Sequence, residues 1–147
     1  MAAYHKMTYQ DACEVLQKSS YGILSVTESG GMPYGVPLSY VVEGNHLYFH
    51  GKPTGKKAGI LSTHPRAAFT VVEQAAADPT HYTMLYRSIM AFGEVHPVTD
   101  EAEKRAALTA LCQKYGALTD PIHINAGLPH TAVWRMDVEY VSGKTNE

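Results

Sequence analysis

The chain has 147 residues, the length of a single domain, and its 45% hydrophobic and 18% charged content is that of a globular protein. A net charge of −2 excludes an overall basic field for nucleic acid, and no apolar run approaches the roughly 18–20 residues of a membrane span. Two cysteines, Cys13 and Cys112, do not make a disulfide-stapled secreted scaffold. The N-terminus also lacks the positive-then-apolar order of a signal peptide, so a cytoplasmic protein is expected.

Thr8 to Lys18 reads as a helix. Thr8 is its N-cap, Asp11 completes a loose capping box, and Ala12, Val15 and Leu16 form one apolar stripe. Tyr21–Thr27, Pro33–Val42 and His46–His50 follow as extended segments. Ser29-Gly30-Gly31 and Glu43-Gly44-Asn45 are turns between them, which predicts an antiparallel meander. Residues 52–61 form a loop entering a short helix, which His64-Pro65 ends. Ala67–Val72 is a strand, and the polar, alanine-rich Glu73–Thr80 reads as a loop. Tyr82–Pro97 is a long strand with a bend or bulge at Gly93.

Thr99–Tyr115 is the clearest helix. Asp100, Glu101 and Glu103 lie in its first turn, where the dipole favours acids, and Gly116 ends it. Residues 117–130 read as irregular, and Thr131–Val141 as a last strand. About six strands with inserted helices predict a mainly β barrel or sandwich rather than a doubly wound parallel sheet.

Two segments carry chemistry. His50 to Lys57 combines three lysines, a threonine, a histidine and two glycines ahead of a helix. A phosphate wants that set: positive charge, a hydroxyl and free N–H groups at a helix start. A solvated basic loop is the alternative. In Pro33–Tyr40, Pro37 removes a ladder donor inside the strand. A strand broken at Val36-Pro37 leaves backbone groups free for a planar, polar-edged ligand; an ordinary edge strand is the alternative. The eight histidines give no HxxxH on a predicted helix, since the nearest pair, His46 and His50, lies on an extended segment; no CxxC accompanies them, and no metal site is predicted. There is no GxSxG elbow, and Cys13, Cys112 and Trp134 read as core residues.

An ordered set of segments spans nearly the whole chain: Tyr-Gly-Ile-Leu-Ser-Val (21–26), Pro-Tyr-Gly-Val-Pro-Leu-Ser-Tyr (33–40), Leu-Tyr-Phe-His-Gly (47–51) and Gly-Lys-Lys (55–57), followed by Arg-Ser-Ile-Met-Ala-Phe-Gly-Glu-Val (87–95), Glu-Lys-Arg-Ala-Ala-Leu (103–108) and Asp-Val-Glu-Tyr-Val-Ser-Gly-Lys (137–144). It resembles the pyridoxamine 5′-phosphate oxidase-like, FMN-binding split barrels, and most of all the branch around the nitroimidazole-resistance (Nim-type) proteins. The resemblance implies a six-stranded antiparallel Greek-key split barrel, acting as a homodimer with FMN in clefts at the interface.

Carried over by position, Val36, Pro37, Leu38 and Ser39 would run beside the flavin ring. Phe49 and His50 would line the ribityl and ring region. Lys56 and Lys57, with Thr54, would hold the phosphate, and Ser88 would reach the flavin from a neighbouring strand. His50 would orient an anionic or nitro-bearing substrate, or donate a proton. The implied activity is reduction of a small electron-poor molecule, fed by a reduced nicotinamide or another donor. A non-catalytic redox sensor or carrier, or a barrel holding haem or a deazaflavin, are the alternatives. The oxidases' serine-arginine-lysine phosphate motif is only partly kept in Gly55-Lys56-Lys57. Their late phenylalanine-tryptophan pair is replaced by Tyr140-Val141, and their later arginine is absent. Pyridoxamine phosphate oxidation is therefore not predicted.

Overall fold

The computed structural model describes residues 5–146. Its strands are β1 (His5–Lys6), β2 (Gly22–Thr27), β3 (Pro33–Leu38), β4 (Val41–Glu43), β5 (His46–Gly51), β6 (Arg66–Asp78), β7 (Thr83–Pro97) and β8 (Ala132–Asn146). The helices are α1 (Tyr9–Lys18), α2 (Lys56–Thr63), α3 (Glu101–Tyr115) and α4 (Pro121–Gly127), with a 3-10 turn at Leu128–His130. None is long and apolar enough to cross a membrane.

All strand pairs are antiparallel, in the order β3-β2-β6-β7-β8-β5-β4, with β1 against β8. The two ends of this path are β3 and β4, yet only Ser39 and Tyr40 separate them in the chain. That link spans at most roughly 11 Å. The sheet must therefore curl until its ends meet, and the fold is a split barrel with inserted helices.

Strand alternation sets the interior. Leu24 and Val26 of β2, Leu47 and Phe49 of β5, Phe69 and Val71 of β6, Ile89 and Ala91 of β7 and Met136 of β8 are all buried. Ala12, Val15 and Leu16 of α1 join the same cluster, so the stripe read from the sequence covers the barrel. A second cluster lies outside the wall, where Val41, Tyr48 and Val133 pack against Ala107 and Leu111 of α3. Polar contacts fix that helix. The Tyr48 hydroxyl donates to Glu103 at 2.8 Å, and Arg135 Nη1 donates to both Glu103 oxygens at 3.0 and 2.7 Å. Arg135 and Tyr48 together hold the Glu103 carboxyl below its usual range.

Local signals held where the chemistry was local. Thr8 caps α1 by accepting from the Asp11 N–H at 3.1 Å, and Asp100 caps α3 through Glu103 N–H at 2.9 Å. Gly116 closes α3 at φ 72°, the left-handed region that favours glycine. The bulge at Gly93 is present, between Phe92 and Gly93 against β8.

Several expectations are corrected. The first three extended segments form two hairpins on opposite edges, not a meander. The run 33–42 breaks at Ser39-Tyr40 rather than at Val36-Pro37, where the ladder to β2 continues. Glu73–Asp78 is strand, not loop. It crosses a bulge between Glu73 and Ala76 and pairs with β7 as a largely exposed ribbon, so it needs no apolar alternation. Residues 117–130 hold α4, capped by Asp120 and started by Pro121, which buries only Ile124 and so shows no apolar period. The last strand runs on to Asn146. Cys13 and Cys112 are only partly buried, whereas Trp134 is a core residue.

At the β3–β4 link the backbone of Tyr40 finds its partners on α3. Its N–H donates to Tyr115 Oη at 3.0 Å, and its carbonyl accepts from Lys114 Nζ at 2.8 Å. Tyr115 Oη lies 2.6 Å from the Ser20 carbonyl and 3.1 Å from that of Tyr40, which share its one proton. The Tyr40 ring is fully buried, and its hydroxyl donates to the Leu16 carbonyl. Tyr115→Phe should lower folding stability by about 1–3 kcal/mol, read from urea unfolding, because backbone groups lose their partner. A loss below about 0.5 kcal/mol would mean that water replaces the hydroxyl.

Burial beside Tyr40 lowers the Lys114 amine to about 8. A lysine in the unfolded chain titrates near ~10.4. Between these values the unfolded state binds more protons, so stability should rise with pH from about 8 to about 10. Lys114→Met should flatten that rise in thermal unfolding measured across the same range. An unchanged slope would place the titration elsewhere.

Candidate functional site

The barrel is open on one side of the Ser39-Tyr40 link. His46–Tyr48 of β5 pair with β4, but Phe49–Gly51 pair with β8 alone. β3 pairs only with β2. Two strand edges, Pro33–Leu38 and Phe49–Gly51, thus present backbone N–H and C=O groups outside the ladder. The proline-containing run is an edge strand, and its free edge faces the split.

The strand period then sorts the predicted residues. Val36 and Leu38 are partly buried against the barrel core, whereas Pro37 and Ser39 point outward. Phe49 is 1% exposed, and its ring centroid lies 5.1 Å from that of Phe69. Its side chain therefore lines the barrel interior, and its backbone borders the split. His50, one position on, faces outward on the side of Tyr48. Burial lowers the His50 imidazole below its usual range, and the charge of Lys57 adds to the effect.

The two lysines have different partners. Lys56 Nζ pairs with Glu28 at 3.1 Å and stands 5.0 Å from the Tyr34 ring centroid, towards the β2–β3 hairpin. Lys57 is half-buried, with Nζ 4.5 Å from the Trp134 ring centroid, and burial lowers its amine. A Cβ on Gly51 would sit 2.7 Å from Lys57 Nζ, so the glycine gives the ammonium its place. Thr54 is exposed in the loop before α2. Gly55 starts α2 at φ 109° with no side-chain cap, leaving the first N–H groups of the helix without a side-chain acceptor. An ammonium, a hydroxyl and uncapped N–H groups at one loop suit a phosphate.

Ser88 lies elsewhere. Its register partners on β6 and β8 are Val72 and Lys144, while His50 lies opposite Val133. Val133 neighbours Trp134, the partner of Pro97, nine positions along β7 from Ser88. At about 3.3 Å per residue this is roughly 30 Å. One protomer does not bring Ser88 to His50.

Beside the split is a chamber of about 500 Å³. Ser39 and His50 form one side. Leu111 and Cys112 of α3 and His123 and Ile124 of α4 supply much of the remaining wall, with Tyr115 near the link. Sequence reading missed this wall because it took 117–130 as irregular. The Asp120-Pro121 start signal was the available clue. Among the described residues no group of three or more histidine, cysteine or acidic side chains is placed for a metal.

The family model for pyridoxamine 5′-phosphate oxidase matches residues 8–145. The chain belongs to this family. No curated protein sequence matches it significantly. Among solved structures it is similar to a candidate 5-nitroimidazole antibiotic resistance protein from Bacteroides thetaiotaomicron, with 24% identity, 98% of this chain and 88% of that one covered, and a TM-score of 0.87. An FAD-binding protein from Mesorhizobium loti is 22% identical over 100% of both chains, at a TM-score of 0.75. A flavocytochrome from Azotobacter vinelandii is 20% identical over 98% of this chain and 69% of its own, at a TM-score of 0.78. At these identities the solved structures establish the split-barrel fold.

Proposed function

We propose that this member of the oxidase family binds FMN along the split and reduces small electron-poor molecules. The observation that carries the reading is the half-buried Lys57 beside the uncapped start of α2, at the mouth of two free strand edges. Flavin-binding proteins among the structural neighbours support it. Lys57, the α2 N–H groups and Thr54 hold the phosphate. The backbone of Val36–Ser39 bonds the polar edge of the ring. His50, whose imidazole is lowered by partial burial and by the charge of Lys57, presents a ring nitrogen beside it. Bound FMN would supply two-electron transfer between a hydride donor and an acceptor. For a nitro acceptor, one reduced nicotinamide and one proton give the nitroso compound, water and the oxidised nicotinamide.

Ser88 joins this site only from a second copy, because its own His50 is roughly 30 Å away. The face around it exposes Val72, Met90 and Tyr140 across β6, β7 and β8, as an interface between two copies requires. A homodimer is therefore part of the proposal.

The test is an absorption titration of the purified protein with FMN, with the mass in solution measured alongside. A dimer with one FMN per chain is expected, whose reduced flavin a nitroimidazole or quinone reoxidises anaerobically. FMN binding without acceptor turnover would make the protein a flavin carrier. No binding in excess FMN would overturn the proposal and turn attention to haem or a deazaflavin.

A further inference from the structure

The chamber between the split and helices α3 and α4 has a wall of unusual composition. None of the side chains lining it is a lysine, arginine, aspartate or glutamate. Leu111, Ile124 and Leu108 give it apolar walls, and its polar groups are the Ser39, Tyr115 and Thr131 hydroxyls, the Cys112 thiol and the His50 and His123 rings. The nearest lysines point elsewhere. Lys57 lies against Gly51 and Trp134, and Lys114 is bonded to the Tyr40 carbonyl. Its volume of about 500 Å³ lies within the range of small-molecule sites, roughly 300–1,000 Å³.

We infer that this chamber is the acceptor site and that it takes uncharged, flat aromatic molecules, with His123 of α4 as a second polar contact besides His50. The inference rests on the flavin reading in one respect: Ser39 and His50 border both the proposed ring position and the chamber, so a molecule held there meets the ring edge. An anion entering the chamber would lose part of its hydration and find no lysine or arginine among the lining side chains. A neutral ring with a nitro, carbonyl or amide group loses less, and imidazole N–H groups can bond its oxygens. Of the two substrate classes that His50 alone admits, anionic or nitro-bearing, the chamber selects the uncharged one.

The experiment uses two probes that differ chiefly in charge, 4-nitrobenzamide and 4-nitrobenzoate. Cys112 lines the chamber and Cys13 does not, so maleimide alkylation of each, read by peptide mass mapping, reports occupancy against an internal reference. Saturating 4-nitrobenzamide should slow Cys112 alkylation fivefold or more and leave Cys13 unchanged, while 4-nitrobenzoate slows it less than twofold. His123→Leu should raise the half-protecting concentration at least threefold, and Ala117→Trp, on an exposed wall residue, should abolish protection. Equilibrium dialysis of both probes reads the same selectivity without a thiol.

Equal binding of the two probes, or protection that survives Ala117→Trp, would overturn the inference. Both measurements are run on the protein with and without FMN. Failure to bind FMN with the selectivity intact would defeat the reading of the split alone. Equal probe binding by a protein that holds FMN would defeat the chamber alone.

Discussion

Lys57→Ala should weaken FMN binding by about 10- to 100-fold, whereas Lys56→Ala should change it by less than about threefold. The adjacent lysines look equivalent in the sequence, and the fold separates them. Lys57 is half-buried with no carboxylate of the described residues on its ammonium, held over Trp134 and against Gly51. A phosphate arriving there meets a desolvated cation and uncapped helix N–H groups, and hydrogen bonds to charged groups contribute about 1.5–3 kcal/mol. Lys56 is exposed and already paired with Glu28. Such a surface pair contributes at most about 1 kcal/mol, and its loss leaves the phosphate loop in place. Quenching of flavin fluorescence gives both dissociation constants. Equal losses in the two variants would mean that Lys56 leaves Glu28 for the phosphate.

Gly93→Ala should destabilise the fold by about 4 kcal/mol or more, since an added Cβ there makes the shortest contact of any glycine in the chain. A Cβ at Gly93 would lie 2.0 Å from the Asp137 carbonyl oxygen and 2.9 Å from its carbon. Both are backbone atoms of the paired strand, so no side-chain rotation relieves the clash. The position sits at the bulge where β7 and β8 lose register, between Phe92 and Gly93. Gly59→Ala is the matched control. Gly59 lies within α2, and its added Cβ meets nothing within 4 Å. It should gain about 0.5–1 kcal/mol from the helix preference for alanine. Urea unfolding of the two variants measures both. A cost below about 1 kcal/mol at Gly93 would show that the bulge can move aside.

The uncapped start of α2 and its lysines were legible from residues 50–57, because a helix start preceded by glycine and followed by lysines is a local pattern. The free edge of Pro33–Leu38 was legible too, through Pro37. The place where that strand ends was not. Nothing within Val36–Val42 distinguishes a continuous strand from two strands that belong to opposite edges of a closing sheet. Which face of the sheet Phe49 takes was open for a related reason. Alternation says that Phe49 and His50 face opposite sides, but it does not say which side is the core.

The sequence by itself determined the elements whose causes lie within a few residues: the capped helices α1 and α3, the glycine turns at 30–31 and 44, the Gly93 bulge, and the family to which the ordered motifs belong. Only the tertiary structure decided how the barrel closes through Ser39-Tyr40, which of the two lysines pairs with Glu28, and that α3 and α4 wall a chamber beside His50. Caps, turns and alternation come from dihedral preferences and nearest-neighbour hydrogen bonds. Closure and the chamber come from contacts between segments tens of residues apart, such as Tyr40 with Tyr115 and Tyr48 with Glu103, which no local pattern encodes.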